Sequence, residues 1–514
     1  MAIKVTLLVL FFAVMIFVGI WSSRHAHNVN DYVLGGRSVG PWMTAFAFGT
    51  SYFSSVVFVG YAGQFGWKFG LASTWIGLGN ALIGSLLAWV ILGRRTRIMT
   101  QKLDARTMPE FFGKRFESRQ LQIWGSVIAF IFLVPYTASI YNGLSRLFGM
   151  AFSIPYWVCI VVMAVLTGLY VILGGYMATA LNDFIQGIIM LIGIVAVVAT
   201  VLHNNGGFLT SMNRLSQIPA NDVAAPALKG SSGLLTSFFG PDPLSLLSVI
   251  VLTSLGTWGL PQMVQKFYAI KDEKAIHKGT VVSTVFAFIV AGGSYFLGGF
   301  GRLYDVPGIH NPDGTVAFDS IIPQMLSTLP DLLIGIIVIL VLSASMSTLS
   351  SLVLTSSSTF TLDFLKKSVW KNMGEKTQLA VMKVLVAIFI ILSVVLALNP
   401  PDFIAQLMGI SWGALAGAFL APFLYGLYWK KTTKASVWAS YLVGVGITVS
   451  NLFLNFASPI AVGAIAMLAG FVIVPVVSAF TKQPDETFVD GLFASYNVPV
   501  TVPRREALEE DVED

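Results

Sequence analysis

The chain has 514 residues, of which 55% are hydrophobic and 11% are charged. Soluble domains carry about 25% charged residues, so this composition excludes a water-soluble globular protein and indicates a surface that faces lipid. The formal net charge of +6 comes from basic residues in short loops between apolar runs, which is not a nucleic-acid-binding pattern, and the single cysteine excludes a disulfide framework.

Apolar runs long enough to cross a bilayer, about 20 residues each, recur along the whole chain. The first run lacks the basic start and the cleavage pattern of a signal peptide, so we predict that it is retained. Membrane lipid is therefore an expected partner, and the plasma membrane is the expected location. The sequence predicts an all-α membrane protein with about thirteen transmembrane helices, at 4–22, 42–65, 71–93, 121–149, 155–173, 181–202, 244–265, 280–301, 331–360, 378–399, 402–428, 435–456 and 458–480.

Lys and Arg residues, which favour the cytoplasmic side, collect in alternate loops. The clusters lie at 94–119, at Lys266 to Lys278, at 366–376 and at 430–434. Thirteen spans with the N-terminus outside and the C-terminus inside place every cluster in the cytoplasm. The segment 106–117 is predicted to be a short amphipathic helix on the inner surface.

The second predicted span is interrupted by GTSYFSS (49–55), and the seventh by TSLGTWGLP (253–261). Non-helical backbone at membrane depth is tolerated where it lines a cavity, and matching breaks in two halves of a chain indicate a transporter's binding site. The alternative is that these small residues form packing seams between helices.

Because the two breaks lie five spans apart, spans two to six and seven to eleven are predicted to form two halves. The external loop between them either covers the solute entry or is an ordinary connector. The polar tail ends in acidic residues and is predicted to be solvated and disordered. The expected divisions are a leading helix and inner loop at 1–41, a first five-helix repeat at 42–202, the external loop at 203–243, a second five-helix repeat at 244–428, two trailing helices at 429–481 and a cytoplasmic tail at 482–514.

In the ninth span, four residues share one helical face because they recur at i, i+3, i+4 and i+7. They are Ala344, Ser347, Thr348 and Ser351, with Ser350 beside them. Neutral hydroxyls and freed carbonyls can hold a sodium ion without adding a buried charge. The alternative is that these hydroxyls bond back to their own helix.

Apart from Asp331 and Asp402, which are the first residues of their spans, Asp183 is the only carboxylate placed inside a predicted span, and an ionisable residue there is a functional hypothesis by default. Its expected depth near the inner interface matches that of Ser351, which favours a second cation site. Alternatively, water reaches this carboxylate from the cytoplasm.

Other chemistries find no support in the motifs. The chain has no G-x-x-x-x-G-K-[ST] stretch, so we expect no coupling to its own ATP hydrolysis. The predicted spans lack carboxylate pairs, Ser/His/Asp sets and histidine-rich patterns, so we expect neither an enzyme nor a cofactor other than Na+ as coupling ion.

Three stretches resemble the sodium/solute symporter family: NDYVLGGRSVG (30–40), ILGGYMATALNDFIQGIIMLIG (172–193) and LSASMSTLSS (342–351). The resemblance covers about residues 30 to 430. It implies the five-plus-five inverted-repeat fold of the leucine-transporter type, with one leading helix and further trailing ones.

The resemblance also implies ligands for sodium. One ion would lie between the broken second span and the ninth, held by the carbonyls of Thr50, Phe53 and Ala344 and the hydroxyls of Ser347 and Thr348. Some family members hold a second sodium near a sixth-span aspartate, which Asp183, Ser350 and Ser351 match here.

The resemblance leaves the solute open among a carboxylate, a vitamin and an amino acid. Tyr136 resembles a tyrosine of proline carriers, whereas the sequences around Trp258 and at 181–193 are more similar to pantothenate carriers. The candidate solute-binding residues are Ser54, Ser55, Tyr136, Thr257 and Trp258.

The function expected from these features is a sodium-coupled symporter that imports a small organic solute. A proton-coupled carrier of the same fold, in which Asp183 would cycle its proton, is one alternative. A transporter-like solute sensor and a passive channel are others.

Overall fold

The computed structural model describes residues 2–23, 28–37, 39–220, 222–223, 228–399, 404–497 and 499. Over these ranges every long element is a helix, and β pairing is confined to two isolated bridges, Val39–Ile270 and His310–Val316. The long helices are Ala2–Ser23, Pro41–Tyr52, Val56–Lys102, Arg119–Phe152, Tyr156–Asn204, Pro243–Leu255, Pro261–Tyr268, Glu273–Gly298, Asp331–Thr359, Glu375–Leu398, Ile404–Tyr428, Lys434–Leu454 and Pro459–Phe480. Shorter α-helices are Val29–Leu34, Met108–Arg115, Phe208–Ser216, Phe318–Ser327 and Glu486–Ala494.

Eleven helices within the described ranges are long and apolar enough to cross a membrane, or twelve if one bent pair counts as a single span. The chain is thus an all-helical, multi-pass membrane protein, as the sequence predicts. The difference from thirteen arises at Val56–Lys102, whose 47 residues count as one helix. A straight α-helix of that length would measure about 70 Å, more than twice the thickness of a hydrocarbon core.

That 47-residue stretch changes direction at Gly70. The φ of 60° and ψ of −139° at this residue lie outside the helical region of backbone conformation. Both of its arms run along Glu273–Gly298, in opposite directions. Gly66, before the turn, touches the backbone of Gly298. After the turn, the Ser85 and Ser283 hydroxyls lie 3.0 Å apart, near the middle of the same helix.

Four elements position the site, and we name them here. The first broken helix comprises Pro41–Tyr52 and the residues from Val56 to Phe69, and the second comprises Pro243–Gly259 and Pro261–Tyr268. The serine helix is Asp331–Thr359. The aspartate helix is Gly175–Asn204, which is separated from the helix before it by the positive φ of Gly175, 55°.

Both broken helices are interrupted where the sequence predicts. In the first, the α-helix stops at Tyr52, Phe53 is extended with φ −108° and ψ 128°, and a π-helical turn resumes at Val56. In the second, Leu260 is extended, the axis bends by 46°, and Pro261 begins the next half-helix. Proline suits this first position because it has no N–H to satisfy there.

The serine helix is one of the most buried helices. Of the most apolar part of Asp331–Val369, which contains it, 78% is buried, compared with 33% for Glu375–Leu398 and 89% for Ile404–Tyr428. Every residue from Leu340 to Thr359 is buried, including all of the hydroxyls. Buried hydroxyls require hydrogen-bonding partners, so this helix must face polar groups from its neighbours.

Two segments that the sequence places on the cytoplasmic side differ from the expectation. The amphipathic helix is present as Met108–Arg115, but the Phe111 ring packs 4.8 Å from that of Phe423 and is buried instead of lying on the surface. The prediction of a disordered tail is wrong for its first part, because Glu486–Ala494 is helical and the Tyr496 hydroxyl donates to the Leu427 carbonyl at 2.9 Å. Residues 500–514 lie outside the described residues.

Candidate functional site

The break in the first broken helix faces the serine helix. The Thr348 hydroxyl oxygen lies 3.1 Å from the carbonyl oxygens of both Phe53 and Ala344, and 3.5 Å from that of Thr50. The Ser347 hydroxyl donates to the Thr50 hydroxyl at 2.8 Å. The structure therefore brings the five residues of the expected first sodium site into one cluster.

The extended backbone at Phe53 explains why these oxygens converge. Carbonyls at a helix end have no intrahelical partner, so they are free to point at a neighbouring helix. A threonine hydroxyl has a single proton and can donate to only one of the carbonyls around it. The cluster is thus rich in acceptors, neutral and buried, which are the properties that an alkali cation requires.

A second polar cluster lies beside the first. The Ser51 and Ser351 hydroxyl oxygens are 2.9 Å apart and connect the two. Ser351 also accepts a hydrogen bond from the Lys266 ammonium at 2.9 Å, and this ammonium lies 3.5 Å from the Asp183 carboxylate. The Ser350 hydroxyl is turned away and donates to the carbonyl of Ser347, on its own helix, at 2.8 Å.

Lys266 is a candidate site residue that the sequence analysis placed wrongly, in a basic loop cluster. In the structure its side chain is 2% exposed, and it belongs to the inner half of the second broken helix. The predicted span ended at residue 265, three residues before the half-helix ends at Tyr268. The sequence did contain a signal that Lys266 lies within a helix. Pro261 is suited to begin a helix, and Lys266 follows it within the second turn.

The candidate solute residue Tyr136 lies in an aromatic cluster near the two breaks. Its ring centroid is 5.8 Å from that of Trp412, which in turn stacks on Tyr52 at 6.4 Å. Trp412 also lies against Gly256, in the second broken helix. Sequence reasoning did not select Trp412, because a tryptophan in an apolar span carries no polar signal.

The other candidate solute residues are bonded to main chain. The Ser55 hydroxyl donates to the Ile140 carbonyl at 2.9 Å, and Ser54 accepts from the Val56 N–H at 3.2 Å. Their side chains thereby stabilise the break.

The two candidates in the second broken helix hold the helix that follows Gly70. The Thr257 hydroxyl oxygen lies 2.9 Å from the Ser254 carbonyl, on its own helix, and 3.2 Å from the Gly84 carbonyl, and the Trp258 indole donates to the Ile83 carbonyl at 3.0 Å. Their polar atoms are therefore directed at a neighbouring helix and not at the Tyr136 ring.

A cavity of 410 Å³ lies next to the outer part of the first broken helix. Its lining includes Gln64, Lys68, Asp242 and Gln406. Gln64 is 1% exposed, and neither its amide oxygen nor its amide nitrogen has a hydrogen-bonding partner. Unpaired buried amides are rare in native structures, so this one is available to a solute or to water.

A neutral oxygen cluster at a helix break, in an all-helical multi-pass chain, is typical of cation-coupled membrane carriers. The model of the sodium:solute symporter family matches residues 32–444, and the chain belongs to this family. It is thus a multi-pass protein of the cell membrane with the symport function of that family.

Individual relatives agree with this assignment. The chain is 29% identical to the osmoregulated proline transporter OpuE of Bacillus subtilis (strain 168), over 92% of this chain and 94% of that protein. It is also 29% identical to the sodium/proline symporter of Staphylococcus aureus (strain JH9), over 93% of each. Among solved structures, a Na+-coupled sialic acid symporter in a substrate-bound, outward-open state has the same fold, with a TM-score of 0.74, 17% identity, and coverage of 94% of this chain and 99% of that one.

Proposed function

We propose that this protein imports a small amino acid or carboxylate by coupling its uptake to sodium entry. The observation that carries the proposal is the convergence of five neutral oxygen-bearing residues on the break at Phe53. Neutral oxygens from broken helices are the coordination that sodium-coupled carriers use at membrane depth.

The geometry suggests how sodium and solute are coupled. A cation at the first site would draw together the break in the first broken helix and the serine helix. Tyr52, the residue before that break, stacks on Trp412 in the aromatic cluster. Sodium binding would therefore order the wall of the solute pocket, and by linkage the solute would raise sodium affinity by the same factor.

Proline is the first solute to test. Two of the relatives are named as proline carriers. The rings of Tyr52, Tyr136 and Trp412 would provide an apolar surface against which a small pyrrolidine ring could pack. The unpaired amide of Gln64 lies in the outer cavity through which we propose that the solute enters.

The test is uptake into proteoliposomes that contain the purified chain. Radioactive proline, pantothenate and sialic acid are supplied in turn, with and without an inward sodium gradient. We expect uptake of one solute to exceed equilibrium only when the gradient is present. Accumulation that follows an imposed proton gradient and ignores sodium would instead support the proton-coupled carrier, and binding without accumulation would support the sensor.

We also propose the complete topology. Counting Val56–Lys102 as two arms that meet at Gly70, and each broken helix as one span, gives thirteen spans. With the N-terminus outside, the basic loops lie in the cytoplasm. Spans two to six and seven to eleven then form the two five-helix repeats.

A further inference from the structure

Lys266 lies where the resemblance would place a second sodium ion. Its ammonium donates to the Ser351 hydroxyl at 2.9 Å and lies 3.5 Å from the Asp183 carboxylate. The face of the Tyr176 ring completes its surroundings, with the ring centroid 5.1 Å from the nitrogen. A carboxylate, a hydroxyl and an aromatic face together form a cation site, and the cation in it belongs to the chain.

The half-helix that carries Lys266 is anchored on both sides of the site. The Gln265 amide donates to the Val33 carbonyl at 3.2 Å and accepts from the Thr355 hydroxyl at 2.6 Å. The lysine side chain is 2% exposed, so its ammonium is shielded from bulk water in this structure. This anchoring keeps the ammonium in place.

One carboxylate can compensate one buried cation. Asp183 is the acidic residue paired with Lys266, and its side chain is fully buried. A sodium ion between Asp183 and Ser351 would lie in van der Waals contact with an ammonium of the same charge. Buried like charges repel strongly because no water screens them.

We propose that the Lys266 ammonium is a permanent substitute for the second sodium ion, so that the chain binds one sodium, at the first site. This inference rests on the proposed sodium coupling. Asp183 and Ser351 then act as positioning residues for the lysine, and they communicate with the first site through the hydroxyl contact between Ser351 and Ser51. A carrier with a built-in second cation moves one charge less in each cycle than a two-sodium carrier.

The experiment is sodium binding to the purified full-length protein in detergent, measured by equilibrium dialysis with radioactive sodium in a choline background. No solute is needed, so the result does not depend on its identity. We expect one sodium per wild-type chain. We expect two for Lys266→Ala, which vacates the site but keeps its carboxylate, and one for Lys266→Ala combined with Asp183→Asn, which removes both charges.

Asp183→Asn alone is the test variant if Lys266→Ala does not elute from size-exclusion chromatography as a folded, monodisperse particle. Lys266 remains in the site in this variant, so we expect one sodium, as in the wild type. Two sodium ions on the wild type, loss of sodium in Asp183→Asn, or one sodium on a folded Lys266→Ala would each overturn the inference. Absence of sodium from the wild type would instead refute the proposed coupling, on which the inference rests.

Discussion

Thr348 is surrounded by more acceptors than its single proton can satisfy. Carbonyls of Phe53 and Ala344 both lie at 3.1 Å from its hydroxyl oxygen. A cation at this point relieves the excess of acceptors, whereas a cluster that serves only to pack the helices would pair donors and acceptors evenly. The position of this one hydroxyl therefore favours the proposed binding site over a packing seam.

Thr348→Ala tests the first site. Removing one neutral ligand costs about 1.4 kcal/mol, so the sodium concentration for half-maximal uptake should rise about tenfold. The measurement is sodium-dependent uptake in proteoliposomes at a fixed solute concentration. Thr348→Ser keeps the hydroxyl and should retain near wild-type sodium dependence.

Ser358→Ala is the matched control for this substitution. Its hydroxyl is buried in the same helix as Thr348, but it donates to the carbonyl of Thr355, which belongs to that same helix, at 3.2 Å. We expect its loss to leave the sodium dependence unchanged. An equal shift in both alanine variants would show that the effect comes from the helix and that Thr348 is not a ligand.

The sequence predicted those site residues that are polar and recur at helical spacing in an apolar run. Ser347 and Thr348 are such residues, because hydroxyls on one face of an apolar helix are conspicuous. Trp412 is not, since its apolar neighbours hide it. For Thr257 the residue type was visible, but its hydrogen bond to the Gly84 carbonyl depends on a helix distant in sequence.

At the scale of elements, two buried arginines form hydrogen bonds between distant segments, one at each end of the molecule. At the end that we propose to be cytoplasmic, Arg37 donates to the carbonyls of Ala105 at 2.7 Å and Tyr268 at 3.4 Å. At the other end, Arg302 donates to the Trp67 carbonyl at 2.8 Å and to the Asp222 carboxylate. Each guanidinium thus connects segments that are distant in sequence.

Arg37→Ala should loosen the cytoplasmic end alone. Without the guanidinium, the loop at 100–105 and the end of the second broken helix lose a shared donor, so their amides should exchange with deuterium faster. Hydrogen exchange followed by mass spectrometry measures this by peptide. Arg302→Ala is the matched control, and it should speed exchange around Trp67 while sparing the peptides at 100–105. Faster exchange at both ends in Arg37→Ala would indicate general destabilisation.

Element boundaries followed local chemistry where it was strong. Both breaks could be predicted, because glycine, proline and hydroxyl residues interrupt apolar runs there. The docked helix Glu486–Ala494 was missed, because it is too short to show an apolar face clearly in a polar tail. Its docking depends on distant partners, such as the Arg95 guanidinium that lies 4.6 Å from the ring centroid of Tyr496.

At the scale of the whole molecule, the paired arms on Glu273–Gly298 and the basic loops support the proposed thirteen-span topology. We expect a reporter active only outside the cell to work when inserted after Gly230, and to fail when inserted after Asn372. A cytoplasmic fluorescent reporter should give the opposite result at the same two positions. Activity of the external reporter at Asn372 would contradict the orientation and imply a different number of spans.

The close approach of Gly66 to Gly298 restricts how such a molecule can rearrange. A β-carbon at Gly66 would lie 2.0 Å from the Gly298 carbonyl oxygen, so at this point the two helices touch backbone to backbone. With no side chains between them to slide or change rotamer, we expect the arm of the first broken helix that follows Phe53 to move together with Glu273–Gly298. Bending would then be left to the unwound residues around Phe53, where the proposed sodium site lies.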